Sequence, residues 1–229
     1  MMDLTFFSDL HGNFQQLDKL NGKENLFFLG DMFTSLRYVE LLGQEGLHYY
    51  YKILTAEQFY KMFLAVKSDL EKIRTNHELP EFFKNNKVFM VPGNHDTQDF
   101  YERIIQNNNL INLHLRKEII DGVEVIGHGG MFVPKEEMDF PHFYMYSDRK
   151  IAENIAALNP SEGCILVMHE LPIKDYCKET RKVIERIKPR LVVGGHDHSL
   201  SEVDLQINGI RYVCAGIWGN VANLNITSD

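Results

Sequence analysis

Residues 87–96 read KVFMVPGNHD, a short apolar run that ends in a proline, a glycine and three polar residues. Apolar runs of this length are typical of strands that are buried on both faces of a sheet. The polar residues Asn94, His95 and Asp96 therefore follow the end of a predicted strand. This stretch therefore predicts a buried strand that is followed directly by polar side chains.

Four other apolar runs end in the same way, at residues 4–7, 25–29, 164–168 and 190–193. The polar residues that follow them are Asp9 and His11, then Asp31, then His169, and finally His196 and His198. Open α/β sheets bind ligands at the carboxyl ends of their strands. We therefore expect these side chains to gather on one edge of a sheet.

Helical patterns and turn signals fall between these runs. Apolar residues at helical spacing predict helices over residues 55–73 and 180–188, and Ser147 is placed to cap a third helix. The dipeptides Asp121-Gly122 and Asn208-Gly209 each predict a β-hairpin. The sequence thus predicts an α/β fold with mixed sheets and outer helices.

The composition is that of one ordinary globular domain covering residues 1–229. Hydrophobic residues make up 44% and charged residues 24% of the chain, and no linker-like stretch divides it. The formal net charge of −8 disfavours nucleic acid as a partner, since that binding rests on attraction between cations and phosphates. Three cysteines without CxxC spacing, no leader-like start and no long apolar stretch predict a cytoplasmic protein without a membrane partner.

The polar residues at the strand ends are of the types that bind transition metals. Carboxylate and amide oxygens with neutral imidazoles suit zinc, manganese or iron, and no thiolate lies among them. Asp9 and His11, like His196 and His198, could serve one site together if the backbone stays extended, because residues two apart then share a face. The sequence therefore predicts a metal site.

The motifs DLH at Asp9, GD at Asp31, GNHD at Gly93, HELP at His169 and GHDH at Gly195 resemble those of calcineurin-like metallophosphoesterases. The resemblance covers most of the chain and is greatest to the cyclic-nucleotide-phosphodiesterase-like bacterial and archaeal branch. It implies a four-layer α/β/β/α sandwich of two mixed sheets. It also implies a metal-dependent phosphoester hydrolase with two transition-metal ions (manganese, iron, zinc or nickel) and a bridging hydroxide.

The resemblance also assigns residue roles. It places Asp9, His11 and His198 on one ion, Asn94, His169 and His196 on the other, and Asp31 between both. His95 matches the catalytic histidine that faces the substrate phosphate. Two further residues are candidate substrate contacts: Asn13, which could instead cap a helix, and His128, which could instead be a polar loop residue.

One departure concerns the phosphoprotein phosphatases of this superfamily. They carry a second carboxylate in GDxxD and end the histidine motif in GNHE, whereas this chain has Thr34 in GDMFT and ends the motif in GNHD. The departure weakens a phosphoprotein-phosphatase interpretation and leaves the partner of His95 open. Asp96 is one candidate for that partner, or it caps the following helix.

The leading hypothesis is a phosphodiesterase or phosphatase that acts on a small phosphoester, such as a nucleotide or cyclic nucleotide. The alternative is a non-catalytic scaffold that retains the fold. A nuclease is disfavoured by the net charge and the lack of a Lys/Arg-rich run. Self-association into a homo-oligomer stays open, and the aromatic residues around Tyr49 are candidates for such a contact.

Overall fold

The computed structural model describes residues 2–32, 79–106, 109–134, 139–141, 144–197, 204–216 and 221–226. Several sequence-based predictions lie outside these residues. They are the helix over residues 55–73, the position of Thr34, the aromatic residues around Tyr49, and the ligand role of His198.

The first sheet has five strands in the order β13-β1-β2-β3-β4. Their bounds are β1 Met2–Phe7, β2 Leu26–Phe28, β3 Val88–Met90, β4 Leu110–Asn112 and β13 Val221–Ile226. Strands β1 to β4 run parallel, and β13 pairs antiparallel with β1 at the edge. Because β1, β2 and β3 are parallel neighbours, the loops that follow them leave the sheet at the same end.

The second sheet has six strands in the order β11-β12-β10-β9-β6-β5. Their bounds are β5 Arg116–Ile120, β6 Val123–His128, β9 Ile165–Glu170, β10 Leu191–Gly195, β11 Asp204–Ile207 and β12 Ile210–Cys214. The four inner strands are parallel, and β5 and β11 form antiparallel edges. A separate parallel pair joins β7 Met131–Val133 to β8 Met145–Ser147.

Both predicted hairpins are confirmed. Asp121 and Gly122 connect β5 to β6 with φ angles of 48° and 80°, and Asn208 and Gly209 connect β11 to β12 with 51° and 79°. Two consecutive positive φ angles are what a two-residue hairpin turn requires, and Asn, Asp and Gly tolerate them best.

Within the described residues the helices are a 3₁₀ helix at Phe14–Leu20, α1 Glu81–Asn85, α2 Gln98–Gln106, α3 Asp148–Ala157 and α4 Lys178–Ile187. Ser147 caps α3 as predicted, since its side chain accepts the Lys150 N–H. The Asp148 carboxylate accepts the N–H groups of Glu179 and Thr180 at 2.6 and 2.9 Å, which ties the start of α4 to α3.

The inner faces of the two sheets pack against each other. In the first sheet Phe6, Phe27 and Phe89 lie side by side on neighbouring strands, with ring centroids 4.8 and 5.1 Å apart. They share one buried cluster with residues of the second sheet such as Ile165 and Val193. This cluster forms the apolar contact between the two sheets.

The outer faces are covered by helices. Phe7 and Phe28 point away from the central cluster and pack with Phe83 of α1, because successive side chains of a strand alternate between faces. In the second sheet Ile126 lies in the same outer cluster as Ile151 of α3. The predicted four-layer α/β/β/α sandwich is therefore confirmed.

Candidate metal centre

The loops after β1 and β2 are held to each other by backbone hydrogen bonds. The N–H groups of the first loop donate to carbonyl oxygens of the second: Asp9 to Gly30 (3.0 Å), His11 to Asp31 (3.1 Å) and Gly12 to Met32 (2.9 Å). The spacing between the two carboxylate-bearing loops is thus set by the main chain.

The backbone is left-handed at four of the predicted ligand positions. The φ angles are 53° at Asp9, 46° at His11, 60° at Asp31 and 67° at His196. The prediction that Asp9 and His11 share one face requires an extended backbone. The backbone is instead left-handed at both residues. Strained residues of this kind persist only where their surroundings hold them, and they are concentrated at functional sites.

Glycines allow these loops to approach closely. A Cβ atom on Gly93 would lie 2.5 Å from the Asp31 nitrogen and even closer to the Asp31 carboxylate. A Cβ atom on Gly195 would lie 2.7 Å from Asp9 Oδ2. Only the absence of a side chain lets the loop after β3 pass Asp31, and lets the end of β10 pass Asp9.

The structure brings four of the predicted ligands into one group. Ligand atoms of Asp9, Asp31, His169 and His196 all lie within 4.8 Å of one another. Asp9 and Asp31 follow strands of the first sheet, whereas His169 lies in β9 and His196 follows β10 of the second. The expectation of a single sheet edge is therefore wrong: two sheets contribute to the site.

Three more predicted residues lie beside this group. Asn94 Oδ1 is 3.1 Å from His169 Nε2, and His11 Nε2 is 3.6 Å from Asp9 Oδ1. His95 Nε2 is 3.9 Å from Asp31 Oδ2, and its ring meets the His11 ring edge-on at 5.2 Å. The structure thus assembles seven of the eight metal and catalytic candidates, and the eighth, His198, is outside the described residues.

The surroundings of His169 fit a cation. Its Nδ1–H donates to the Leu29 carbonyl oxygen at 2.6 Å, which in a neutral ring leaves a lone pair on Nε2. That Nε2 faces acceptor-capable atoms, namely Asn94 Oδ1 at 3.1 Å, His196 Nδ1 at 3.1 Å and Asp31 Oδ2 at 3.5 Å. The Asn94 and Asp31 oxygens can only accept, and the role of His196 Nδ1 follows from its tautomer, so a proton or a metal ion is needed between these oxygens and His169 Nε2.

The pKa values agree with this need. Burial lowers the pKa of His169, but the charge and hydrogen bond of Asp31 outweigh it and raise the pKa to about 10. Burial favours the neutral form of Asp31, yet the facing His169 and His95 hold the pKa of that carboxyl well below its usual range. The Asp31 carboxylate thus stays ionised although it is buried, and the adjacent His169 imidazole attracts positive charge. A carboxylate together with imidazoles is a donor set that binds divalent transition metals.

Two neighbouring histidines behave differently. Burial lowers the pKa of His95 to about 3, against the opposing charge of Asp31. Burial likewise lowers the pKa of His196 to about 4. Both rings are neutral at pH 7, and a neutral imidazole is the form that binds a metal or donates a single hydrogen bond.

Asp96 has a role that the sequence left open. Its carboxylate accepts the N–H groups of Asp31 (2.8 Å), Met32 (3.2 Å) and Gly93 (2.9 Å). It thereby fixes the loop after β2 against the loop after β3. The Asp31 carboxylate in turn accepts the His95 N–H at 2.8 Å.

Sequence reasoning missed two supporting residues. The Ser8 hydroxyl donates to Asp9 Oδ2, which also accepts the His196 N–H at 2.9 Å. Glu170 is buried directly after His169. Their only signal in the sequence is adjacency to a predicted ligand, since the contacts with residues far along the chain are set by the fold.

His128 is not brought into the group. It is fully buried, and its Nε2 lies 3.2 Å from Asn154 Nδ2 of α3. His128 pairs in register with Met168, which belongs to the outer cluster, whereas the next residue, His169, points to the opposite face. Strand alternation therefore directs His128 away from the site, and the prediction of a substrate contact is corrected.

Asn13 follows the candidate ligand His11 by two residues. It is half-buried at the start of the 3₁₀ helix, and its N–H donates to the Leu10 carbonyl at 2.7 Å. Its side chain makes no capping hydrogen bond to that helix. The suggested cap is thus absent, and a substrate contact stays a prediction.

The fold and the site together define an α/β/β/α protein with a candidate site for divalent metal. The sequence model of the family Metallophos, described as calcineurin-like phosphoesterase, matches residues 2–200. The chain therefore belongs to the calcineurin-like phosphoesterase family. Its members are hydrolases that bind divalent metals, and the cluster described above is the candidate for that metal centre.

Solved structures share the fold at low sequence identity. One crystal structure aligns with a TM-score of 0.62 at 14% identity, covering 98% of this chain and 99% of that chain. The crystal structure of TT1561 of Thermus thermophilus aligns with a TM-score of 0.60 at 14% identity, covering 94% and 89% respectively. A search of curated protein sequences found no match.

No helix within the described residues is long and apolar enough to cross a membrane.

Proposed function

We propose that this protein hydrolyses a small phosphoester at a dinuclear metal centre. The observation that carries the proposal is the convergence of Asp31, Asn94 and His196 acceptor atoms on His169 Nε2, within 3.5 Å. These acceptor atoms need a shared positive charge, either a proton on His169 Nε2 or a bound metal ion. Membership of the calcineurin-like phosphoesterase family supplies the reaction class.

The proposed ligands divide into two sets that share one residue. Asp9, His11 and His198 hold one ion, Asn94, His169 and His196 hold the other, and Asp31 serves both. The position of Asp31 supports this, since its carboxylate lies within 4.8 Å of ligand atoms of both Asp9 and His169. Manganese, iron, zinc and nickel all accept this donor set.

Metal ions bound here would lower the pKa of a bound water and polarise the phosphoryl oxygens. The protein's own part is positioning. The left-handed loops, the Asp96 carboxylate and the Ser8 hydroxyl hold Asp9 and Asp31 in place. Holding charged ligands rigidly avoids reorganisation during the reaction, which is the usual source of electrostatic catalysis.

His95 is the proposed catalytic residue. Its side chain is 11% exposed, so the ring can be reached from outside the buried ligand group. Its backbone N–H is anchored on Asp31 Oδ1, and its ring is steadied edge-on against His11. From this place the ring can donate a hydrogen bond to a substrate phosphate or to the leaving oxygen.

The substrate is proposed to be small and anionic. With a net charge of −8, the protein does not attract long polyanions, whereas two divalent ions give the site a local positive charge. By resemblance, nucleotides and cyclic nucleotides are the first compounds to test. Asn13 is the proposed additional substrate contact.

The proposal is tested by metal analysis followed by a substrate panel. We expect close to two transition-metal equivalents per chain and cleavage of bis-p-nitrophenyl phosphate with added manganese. Metal binding with no turnover of any nucleotide, cyclic nucleotide or model ester would favour the scaffold alternative. Absence of metal binding would remove the proposal altogether.

A further inference from the structure

Glu170 is a buried carboxylate next to the candidate ligand His169. It is 1% exposed, at the end of β9. Its Oε2 accepts the Phe132 N–H at 2.7 Å, and its Oε1 receives a hydrogen bond from Lys174 Nζ at 2.6 Å. A buried carboxylate is costly without such partners, so its presence calls for an explanation.

The side chain of Glu170 faces another candidate ligand, His196. The Glu170 Oε2 lies 4.0 Å from His196 Nε2, while the other ring nitrogen, His196 Nδ1, lies 3.1 Å from His169 Nε2. The two nitrogens of His196 therefore face opposite ways. Nδ1 faces the ligand group, and Nε2 faces a carboxylate outside it.

The proton of a neutral imidazole goes to the nitrogen that faces the better acceptor. A carboxylate at Nε2 favours the tautomer with its proton on Nε2, which leaves the Nδ1 lone pair aimed at the ligand group. At 4.0 Å the contact is electrostatic and not a hydrogen bond, so it depends on the negative charge of Glu170. Metal-binding histidines commonly have a carboxylate in this position.

We propose that Glu170 is a positioning residue that makes His196 a metal ligand through Nδ1, an inference that rests on the proposed function above. Lys174 Nζ pairs with Glu170 Oε1 at 2.6 Å and supplies the opposite charge that a buried carboxylate requires. In the sequence HELPIK, Lys174 lies four positions after Glu170 and forms an ion pair with it.

A purely structural role for Glu170 makes different predictions. Glu170→Gln keeps the size of the side chain and an oxygen that can accept the Phe132 N–H, but it removes the charge that faces His196. If Glu170 only supports the fold, the variant alters the melting temperature of the metal-free protein and not its intrinsic metal affinity. If Glu170 positions His196, metal affinity falls while the metal-free protein stays folded.

The experiment is a titration of metal-free full-length protein with Mn²⁺ and with Zn²⁺, in wild type and Glu170→Gln. We expect the affinity for one of the two ions to fall about 10- to 100-fold. The matched control is Glu124→Gln. Glu124 also accepts a backbone N–H, from Ser161 at 2.6 Å, and pairs with a lysine, Lys117, at 3.3 Å, but it lies on β6 outside the ligand group. The control should bind both ions as wild type does.

A second measurement needs no variant at Glu170. In the zinc-loaded wild-type protein, nitrogen NMR of the histidine rings should show His196 with its proton on Nε2. A proton on Nδ1 would overturn the inference, as would unchanged affinity for both ions in Glu170→Gln. These outcomes leave the proposed function standing, whereas a wild-type protein that binds no divalent ion overturns both.

Discussion

Asp31 makes several contacts at the candidate metal centre. Its carboxylate is buried, accepts the His95 N–H and lies 3.5 Å from His169 Nε2, while its own N–H donates to Asp96. Its φ angle of 60° lies in a region that asparagine tolerates at least as well as aspartate. Asp31→Asn therefore changes charge with little change in shape.

For this reason we expect Asp31→Asn to lose both ions, because the proposal makes Asp31 a ligand of each. Metal analysis should fall from near two equivalents to well below one. Asp121→Asn is the matched control, since Asp121 also has a positive φ but is exposed in a hairpin. Full metal occupancy in Asp31→Asn would contradict the shared-ligand role.

His95 differs from the other histidines of the group because it is proposed to contact substrate and not metal. His95→Ala should therefore retain both ions and lose about 10²- to 10⁴-fold in turnover. The loss should be smaller for nitrophenyl esters than for alkyl esters, since a nitrophenolate leaves with little help from a hydrogen bond or a proton. Loss of metal from His95→Ala would show that the ligand assignment is wrong.

His95→Asn separates the two ways in which His95 could act. Asparagine can donate a hydrogen bond but cannot transfer a proton at this pH. It should recover part of the activity on nitrophenyl esters and none on alkyl esters. Equal losses on both kinds of ester in His95→Ala would indicate that the residue only positions phosphate.

At the scale of the elements, β6 places a histidine on the outer face of the second sheet. Burial lowers the pKa of His128 to about 4, and Asn154, His114 and Tyr146 surround its ring. The folded state therefore favours the neutral ring. Its contribution to stability is complete above the unfolded pKa of 6.5 and is lost as pH falls towards 4.

We predict that this one histidine makes the metal-free protein about 2 kcal/mol less stable at pH 5 than at pH 7, since each pKa unit corresponds to about 1.4 kcal/mol. The free energy of unfolding, measured with urea, should fall between pH 7 and pH 5 in both proteins. In His128→Gln this fall should be smaller than in wild type by about 2 kcal/mol. The other histidines are present in both proteins, so the difference reports the titration of His128 together with its effect on the adjacent His114. An identical pH dependence in the two proteins would refute the prediction.

At the scale of the whole molecule, the site joins the two sheets. Asp9 and Asp31 come from the first sheet and His169 and His196 from the second, so an ion held by them connects both halves of the sandwich. Because the ions are expected to bind only the folded state, they should stabilise the entire molecule. The proposed single domain of residues 1–229 should respond as one unit.

We therefore expect one cooperative thermal transition whose midpoint rises with added Mn²⁺. Free Mn²⁺ at about 100 times its dissociation constant should raise the free energy of unfolding by about 2.7 kcal/mol per site. Chelation with EDTA should return the midpoint to that of the metal-free protein. Two separate transitions, of which only one responds to metal, would contradict the single-domain prediction.

Local signals in the sequence sufficed for much of this protein. The buried strands, the turns at Asp121-Gly122 and Asn208-Gly209, and the cap at Ser147 were predictable because each depends on neighbouring residues alone. The family and its four-layer fold were recognisable from the ordered motifs, which also named the candidate ligand residues that the structure brings together.

Contacts between distant parts of the chain were decided only by the tertiary structure. Asp96 meets the Asp31 N–H across 65 positions, and the ring of His196 lies between His169 and Glu170 because β9 and β10 are neighbours. His128 was misjudged because its motif-like setting says nothing about which face of β6 it occupies. Side-chain direction at a strand end follows from register and from the layers packed on each face, and these are properties of the assembled sandwich.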